Sequence, residues 1–241
     1  MRKLFWRIFA NGLGQIGRDG MLAILVPAPF LAASALRLLL PLADGFISSR
    51  WGFSLRPWLG LADALVISLA PLMAAMISAF LLLDEADSGT SAYYQITPAH
   101  GPIYLLARLG LPMVWAFAAT VAVGSILSLT RPAWPVLLAA AGQSTVQGAA
   151  IAMLIVALAG NKVEGLALSK LAGVFLLGIP WAWFAPLNYA WVGWMLPSYW
   201  LTNWLRVGLT GPTLLAGWGV ALAWAVILAR IGLRRLERQK T

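Results

Sequence analysis

Apolar runs long enough to cross a bilayer recur along the chain with almost no charge inside them. A helix needs about 20 consecutive apolar residues to span the hydrocarbon layer. No water there satisfies loose backbone groups, so a spanning segment must pair its own N–H and C=O groups. Spans are expected at about residues 21–42, 59–83, 102–129 and 135–159. A fifth run starts near residue 166 and is interrupted at Pro180, and the last covers about 212–229. Composition closes the soluble alternative. Of 241 residues, 61% are hydrophobic and only 10% charged, against about 25% charged in a soluble domain. The expected fold class is all-α, a polytopic membrane protein with six transmembrane helices in one domain over residues 1–241.

The flanking segments refine this picture. Within residues 1–18, Leu4, Phe5, Ile8 and Phe9 recur at helical spacing beside Arg2, Lys3 and Arg7. Such a helix lies in the membrane interface rather than crossing it. The start resembles the basic region of a signal peptide, but the polar stretch 11–20 separates it from the apolar run. Residues 1–18 are therefore expected in the mature protein. Residues 181–204 hold six of the thirteen tryptophans together with Pro186 and Pro197. They are apolar yet broken, which predicts outer re-entrant half-helices. Lysine and arginine set the orientation. With the N-terminus inside, the inner side holds eleven basic residues and the outer side four. Both termini are then cytoplasmic. The net charge of +9 is explained by these flanks, so no nucleic-acid partner is expected.

Catalytic signatures are absent. The sequence has no cysteine, no P-loop, no zinc-protease helix and no hydrolase elbow. His100 stands alone, and a metal site needs several ligands. No catalytic residue, metal or cofactor is expected on this chain. Arg37 and Asp63 fall at comparable depth near the outer ends of the first two spans. An interhelical ion pair or snorkelling is expected there, with an outer gate as the sharper alternative. Gln143 and Gln147, four apart, share one face of the fourth span. They serve packing or line a substrate path.

The segment after the second span is the most polar in the chain. Asp84, Glu85 and Asp87 precede Gly89, Thr90, Tyr93, Tyr94, Thr97 and Pro98. Three acids on the inner side run against the usual positive bias. Arg108, a few residues into the third span, can reach back to Asp84 or Glu85 and pin the loop.

At these residues the chain resembles a known family. DEADSG followed by ITPAHGPIYLLAR resembles the E-x-x-x-G, (S/T)-P, Y-x-x-x-R pattern of type-2 ATP-binding-cassette permeases. GNKVEGLALSK, with Asn161, Lys162, Glu164, Gly165 and Lys170, resembles the N-K-x-E-G-x-x-x-x-K element of the bacterial drug- and peptide-export branch. The resemblance implies a permease working with a second, usually identical, copy and two cytoplasmic ATPase subunits. Those subunits, not this chain, would bind ATP and magnesium. It further implies that residues 84–98 form a cytoplasmic coupling loop, with Glu85 as its expected polar anchor on the ATPase. The N-terminal helix would touch the same partner. The reading is a permease in the bacterial inner membrane, surrounded by lipid, that exports an amphipathic or apolar drug, antibiotic, small peptide or lipid. An ion-driven secondary transporter, a non-transporting assembly or immunity factor, and an intramembrane enzyme are the rivals.

Overall fold

A computed structural model describes residues 2–89 and 102–238. All their regular elements are helical. α1 covers Arg2–Arg18, α2 Gly20–Leu25, α3 Ala28–Trp51 and α4 Leu59–Asp87. α5 covers Pro102–Ala122 and ends in a π-helical turn at Val123–Leu127; α6 is Trp134–Leu158. The fifth span is composite, with α7 at Lys162–Ser169, a 3-10 run at Lys170–Leu176 and α8 at Gly178–Phe184. After a 3-10 turn at Leu187–Tyr189 come α9 (Ala190–Gly193), α10 (Pro197–Val207) and α11 (Gly211–Arg238). Among the described residues, six segments are long and apolar enough to cross a membrane.

α4 is the axis of the bundle. Its apolar window is 78% buried, against 17% for the first and last spans, so those two form the rim. A helix apolar all round is suited to such a position. Ala64, Ala70, Ala74, Ala75 and Ala79 on α4 are fully buried, and small side chains let neighbouring helices approach closely. One such close approach is at Gly148 of α6. A Cβ there would lie 3.0 Å from the Pro71 carbonyl oxygen and 3.4 Å from the Met113 side chain. Three helices therefore meet where Pro71 interrupts the α4 ladder.

The first span departs from expectation. Its apolar run suggests an end near residue 42, yet α3 continues to Trp51, where Gly52 in the left-handed conformation stops it. Asp44 holds the return. It accepts hydrogen bonds from the Leu55 amide (2.6 Å) and the Ser54 hydroxyl (3.1 Å) and pairs with Arg56 (3.6 Å). The expected loop at 43–58 is thus mostly helix. A second difference is that Asp84, Glu85 and Asp87 form the last turn of α4, not a loop.

The tryptophan-rich stretch is broken into α8, α9 and α10. Interrupted backbone leaves carbonyls without helical partners. Indole N–H groups take several of them. Trp181 donates to the Tyr189 carbonyl (2.9 Å), Trp200 to that of Trp194 (2.9 Å) and Trp224 of α11 to that of Met195 (2.7 Å). Many of these rings serve as donors for irregular backbone as well as amphipathic surface.

Gly148→Ala is expected to destabilise the bundle by about 1–3 kcal/mol through overpacking, despite its better helix propensity. Gly219→Ala is the control, because its Cβ would meet nothing within 4 Å. Thermal unfolding in detergent should show a lower midpoint for the first variant only.

Candidate functional site

Acids at the C-terminal end of a helix oppose its dipole and need cations nearby. The last turn of α4 meets that need twice. Glu85 faces inward against Arg108 of α5, and both side chains are 1% exposed. Arg108 grips the carboxylate from both sides. Its Nε donates to Oε2 at 3.0 Å and its Nη2 to Oε1. The Tyr104 hydroxyl donates to Oε2 at 2.5 Å, and the Gln15 amide of α1 reaches Oε1 at 3.5 Å. Tyr104 and Arg108 lie one helical turn apart on α5, so one face presents both to Glu85. α1 seats directly on this group. A Cβ on Gly12 would stand 2.9 Å from the Arg108 guanidinium.

Asp84 and Asp87 point outward, and both are exposed. They meet the loop that opens the fifth span. The Lys162 ammonium donates to Asp84 (3.1 Å) and to Asp19 (2.7 Å). The Lys162 backbone N–H donates to Asp87 (2.9 Å). Asp19 also caps α2 through the Met21 and Leu22 amides. Hydrogen bonding to Lys162 is the largest influence holding the Asp19 carboxyl below the usual aspartate value; the two backbone amides act in the same direction.

The remaining residues of that loop have local work. Asn161 caps α7 by accepting from the Glu164 amide (2.9 Å), while Glu164 reaches back to the Gly160 amide (2.7 Å). This is close to a capping box. Gly165 leaves space for Leu83 of α4 to pack against the helix start. Lys170 is exposed, two helical turns further on. Five of the eight acids thus gather at one end of the bundle: Asp19, Asp84, Glu85, Asp87 and Glu164.

The structure revises the expected role of Glu85. Buried against Arg108, it offers no surface to a partner, and it anchors α4 to α5 and α1 instead. Thr90, Tyr93, Tyr94, Thr97 and Pro98 lie outside the described residues. Sequence reading missed Asp19, Gln15 and Gly12. Asp19 carried one usable signal, an N-cap residue just before an apolar run.

At the opposite end, Arg37 and Asp63 do not pair with each other. Both secure the turn after the π-helical end of α5. Asp63 accepts from the Leu129 amide (2.8 Å), the Thr130 amide (2.7 Å) and the Thr130 hydroxyl (2.5 Å). Arg37 donates to the Ile126 carbonyl and, at 3.4 Å, to that of Ser128. Orphan backbone groups at a broken helix end compete successfully for both side chains. Gln143 is fully buried, and its amide holds the Pro197 carbonyl (3.0 Å) at the start of α10 and the Gly217 carbonyl (3.4 Å) of α11. Gln147 is buried beside it on the same face.

Five apolar spans packed around α4, with an ion-paired polar cluster at one end, are the build of a multi-pass membrane protein. The family model for fluoroquinolones export permease proteins of the Rv2686c-like type matches residues 13–232, and the chain belongs to that family. Two curated relatives are the fluoroquinolones export permease proteins MT2760 and Rv2686c from two strains of Mycobacterium tuberculosis, CDC 1551 / Oshkosh and H37Rv. Each is 29% identical over 225 residues, covering 90% of this chain and 89% of the relative. No solved structure matches the chain significantly. The resemblance noted at Glu85, Tyr104 and Arg108 acquires a geometry here, because these three residues converge on one carboxylate.

Two predictions follow the geometry. Removing one partner of a buried ion pair costs about 3–5 kcal/mol, whereas replacing both by apolar groups of similar size is far milder. Arg108→Met alone should lower the thermal midpoint sharply, and Glu85→Leu with Arg108→Met should recover most of the loss. For Asp19 the folded-state pKa is depressed. Its contribution is therefore fully present above the unfolded aspartate value, about 3.9, and is lost as pH falls through the folded value. A pH series of melting temperatures should show an acid decline that is weaker in Asp19→Asn.

Proposed function

We propose that the chain is the permease subunit of a bacterial ATP-driven exporter that moves amphipathic drugs, with fluoroquinolones as the first class to test. Two copies would work with two separate ATPase subunits that bind ATP and magnesium. The observation that carries this reading is the convergence of Glu85, Tyr104 and Arg108 at one end of an apolar six-span bundle, in a chain of an export-permease family. The acidic end would face the cytoplasm of the inner-membrane cell, consistent with the positive residues flanking it. Asp84 and Asp87, exposed beside the segment that continues to Pro98, offer acidic surface to a soluble partner. Tyr93 and Tyr94 would add the amphipathic rings favoured at interfaces. The buried pair at Glu85 lets force on that segment reach α5 and α1 rather than dissipate in a loose turn.

An ion-driven carrier would need a titratable acid within the bundle. Asp63, the acid furthest inside a span, is occupied by three donors of the 129–130 turn: the Leu129 amide and the Thr130 amide and hydroxyl. That occupancy favours the ATP-driven reading.

Affinity purification of the tagged chain from its native membrane is expected to retain an ATP-hydrolysing subunit, and Tyr94→Ala should weaken that retention by about tenfold, the factor expected when one interface residue of moderate worth is truncated. Retention unchanged by Tyr94→Ala would move the docking surface elsewhere. The cysteine-free background allows an orientation test. A cysteine replacing Lys162 should resist an impermeant reagent in intact cells, and one replacing Ser49 should react.

A further inference from the structure

The fifth span is built as two clamped pieces with a different kind of helix between them. 3-10 runs seldom exceed three or four residues, and a long one inside a helix marks a hinge or strain. Here seven residues, Lys170–Leu176, are 3-10 between α7 and α8. Each flanking piece is fixed to a different neighbour. α7 is fixed to the end of α4 by Lys162 on Asp84, by the Lys162 amide on Asp87 and by Leu83 packed against Gly165. α8 is fixed to α10. The Gly178 position lies directly against the Tyr199 amide and the Ser198 hydroxyl, and Ser198 also donates to the carbonyl of Phe175, so the last residues of the 3-10 run are held to α10 together with α8. Between the clamps, Ala172 and Phe175 face the core, while a Cβ on Gly173 would meet nothing within 4 Å, so the outward face of the 3-10 run has room to change.

We propose that the fifth span is a jointed lever. Lys162 is the positioning residue that makes α7 follow the last turn of α4, and Lys170–Leu176 is the joint about which α7 swings while α8 stays with α10. Lys162 suits this task because one residue joins three elements: α2 through Asp19, the α4 terminus through Asp84 and Asp87, and α7 of which it is the first residue. The pairs are partly exposed, so they can break and re-form with a state of the protein more readily than the buried Glu85 pair. The mechanical claim stands on this geometry alone. Its consequence for transport rests on the export reading.

Spin labels on introduced cysteines test the lever in the full chain in lipid nanodiscs. Ala86 with Val163 reports the clamp, and Val163 with Phe184 reports the joint; all three positions are exposed. In the otherwise native chain and in Lys162→Arg, both distance distributions should be narrow. In Lys162→Met both should broaden, by about twofold for a released segment of μs–ms mobility. An unchanged Ala86–Val163 distribution in Lys162→Met would overturn the clamp. Broadening of that pair with Val163–Phe184 still narrow would overturn the joint, since the span would then move as one rod. Should Lys162→Met not insert, Asp19→Asn with Asp84→Asn removes the same ion pairs and is read identically. With the ATPase bound, Lys162→Met should keep ATP hydrolysis while export falls about tenfold, as expected for loss of one coupled contact, and Lys162→Arg should restore it. Full export in Lys162→Met contradicts the lever as a transport element. Failure of the native chain to retain any ATPase counts against the export reading and leaves the distance result standing.

Discussion

A carboxylate and a guanidinium buried against each other at the foot of the bundle constrain everything around them. Glu85 and Arg108 are both almost fully excluded from solvent, and neither tolerates that environment without the other. Their pairing forces the last turn of α4 to stay helical, fixes the height at which α5 begins, and gives α1 a flat seat at Gly12 and Gln15. An apolar contact of similar volume would hold the helices as well or better. What the ion pair adds is a directional contact, since Arg108 meets the Glu85 carboxylate at one height along α4 and α5.

The two ends of the molecule solve the same problem differently. At the acidic end, side chains satisfy side chains: Lys162 with Asp19 and Asp84, and Arg108 with Glu85. At the tryptophan end, apart from Asp44 with Arg56 and Ser54, side chains chiefly satisfy backbone: Asp63 and Arg37 on the turn after α5, Gln143 on Pro197, and indoles on the carbonyls of 189, 194 and 195. Ion pairs at the first end can be exchanged for contacts with a charged partner. Hydrogen bonds to interrupted backbone at the second hold short helices in place within apolar surroundings.

The spans were legible in the sequence because the bilayer sets a length and a polarity that few residues satisfy by accident. The Glu85–Arg108 contact was legible to within one residue, since Arg108, a few residues into the third span, could reach back to Asp84 or Glu85. Helix phase then decides. Glu85 falls on the buried face with Leu81 and Leu82, and Asp84 on the exposed one. The clamp at Lys162 was not legible, because Asp19 lies 143 positions away and nothing local marks it as more than a cap. Asp63 and Arg37 misled for a related reason. Opposite charges at equal depth suggest a pair, but the broken end of α5 supplies N–H and C=O groups that only the fold reveals. The extension of α3 to Trp51 was hidden by its polar last turns, where a helix can outrun its apolar run once it leaves the hydrocarbon.

Export of a drug at the expense of ATP hydrolysed by a separate subunit, with Glu85 and Arg108 carrying the force, is the function proposed for this bundle. Inverted membrane vesicles containing the chain and its ATPase measure this most directly. The account predicts uptake of a fluoroquinolone on addition of ATP and magnesium, insensitive to collapse of the proton gradient, and abolished when Arg108→Met breaks the buried pair in vesicles that still contain the protein. Uptake driven by a proton gradient without ATP would contradict it.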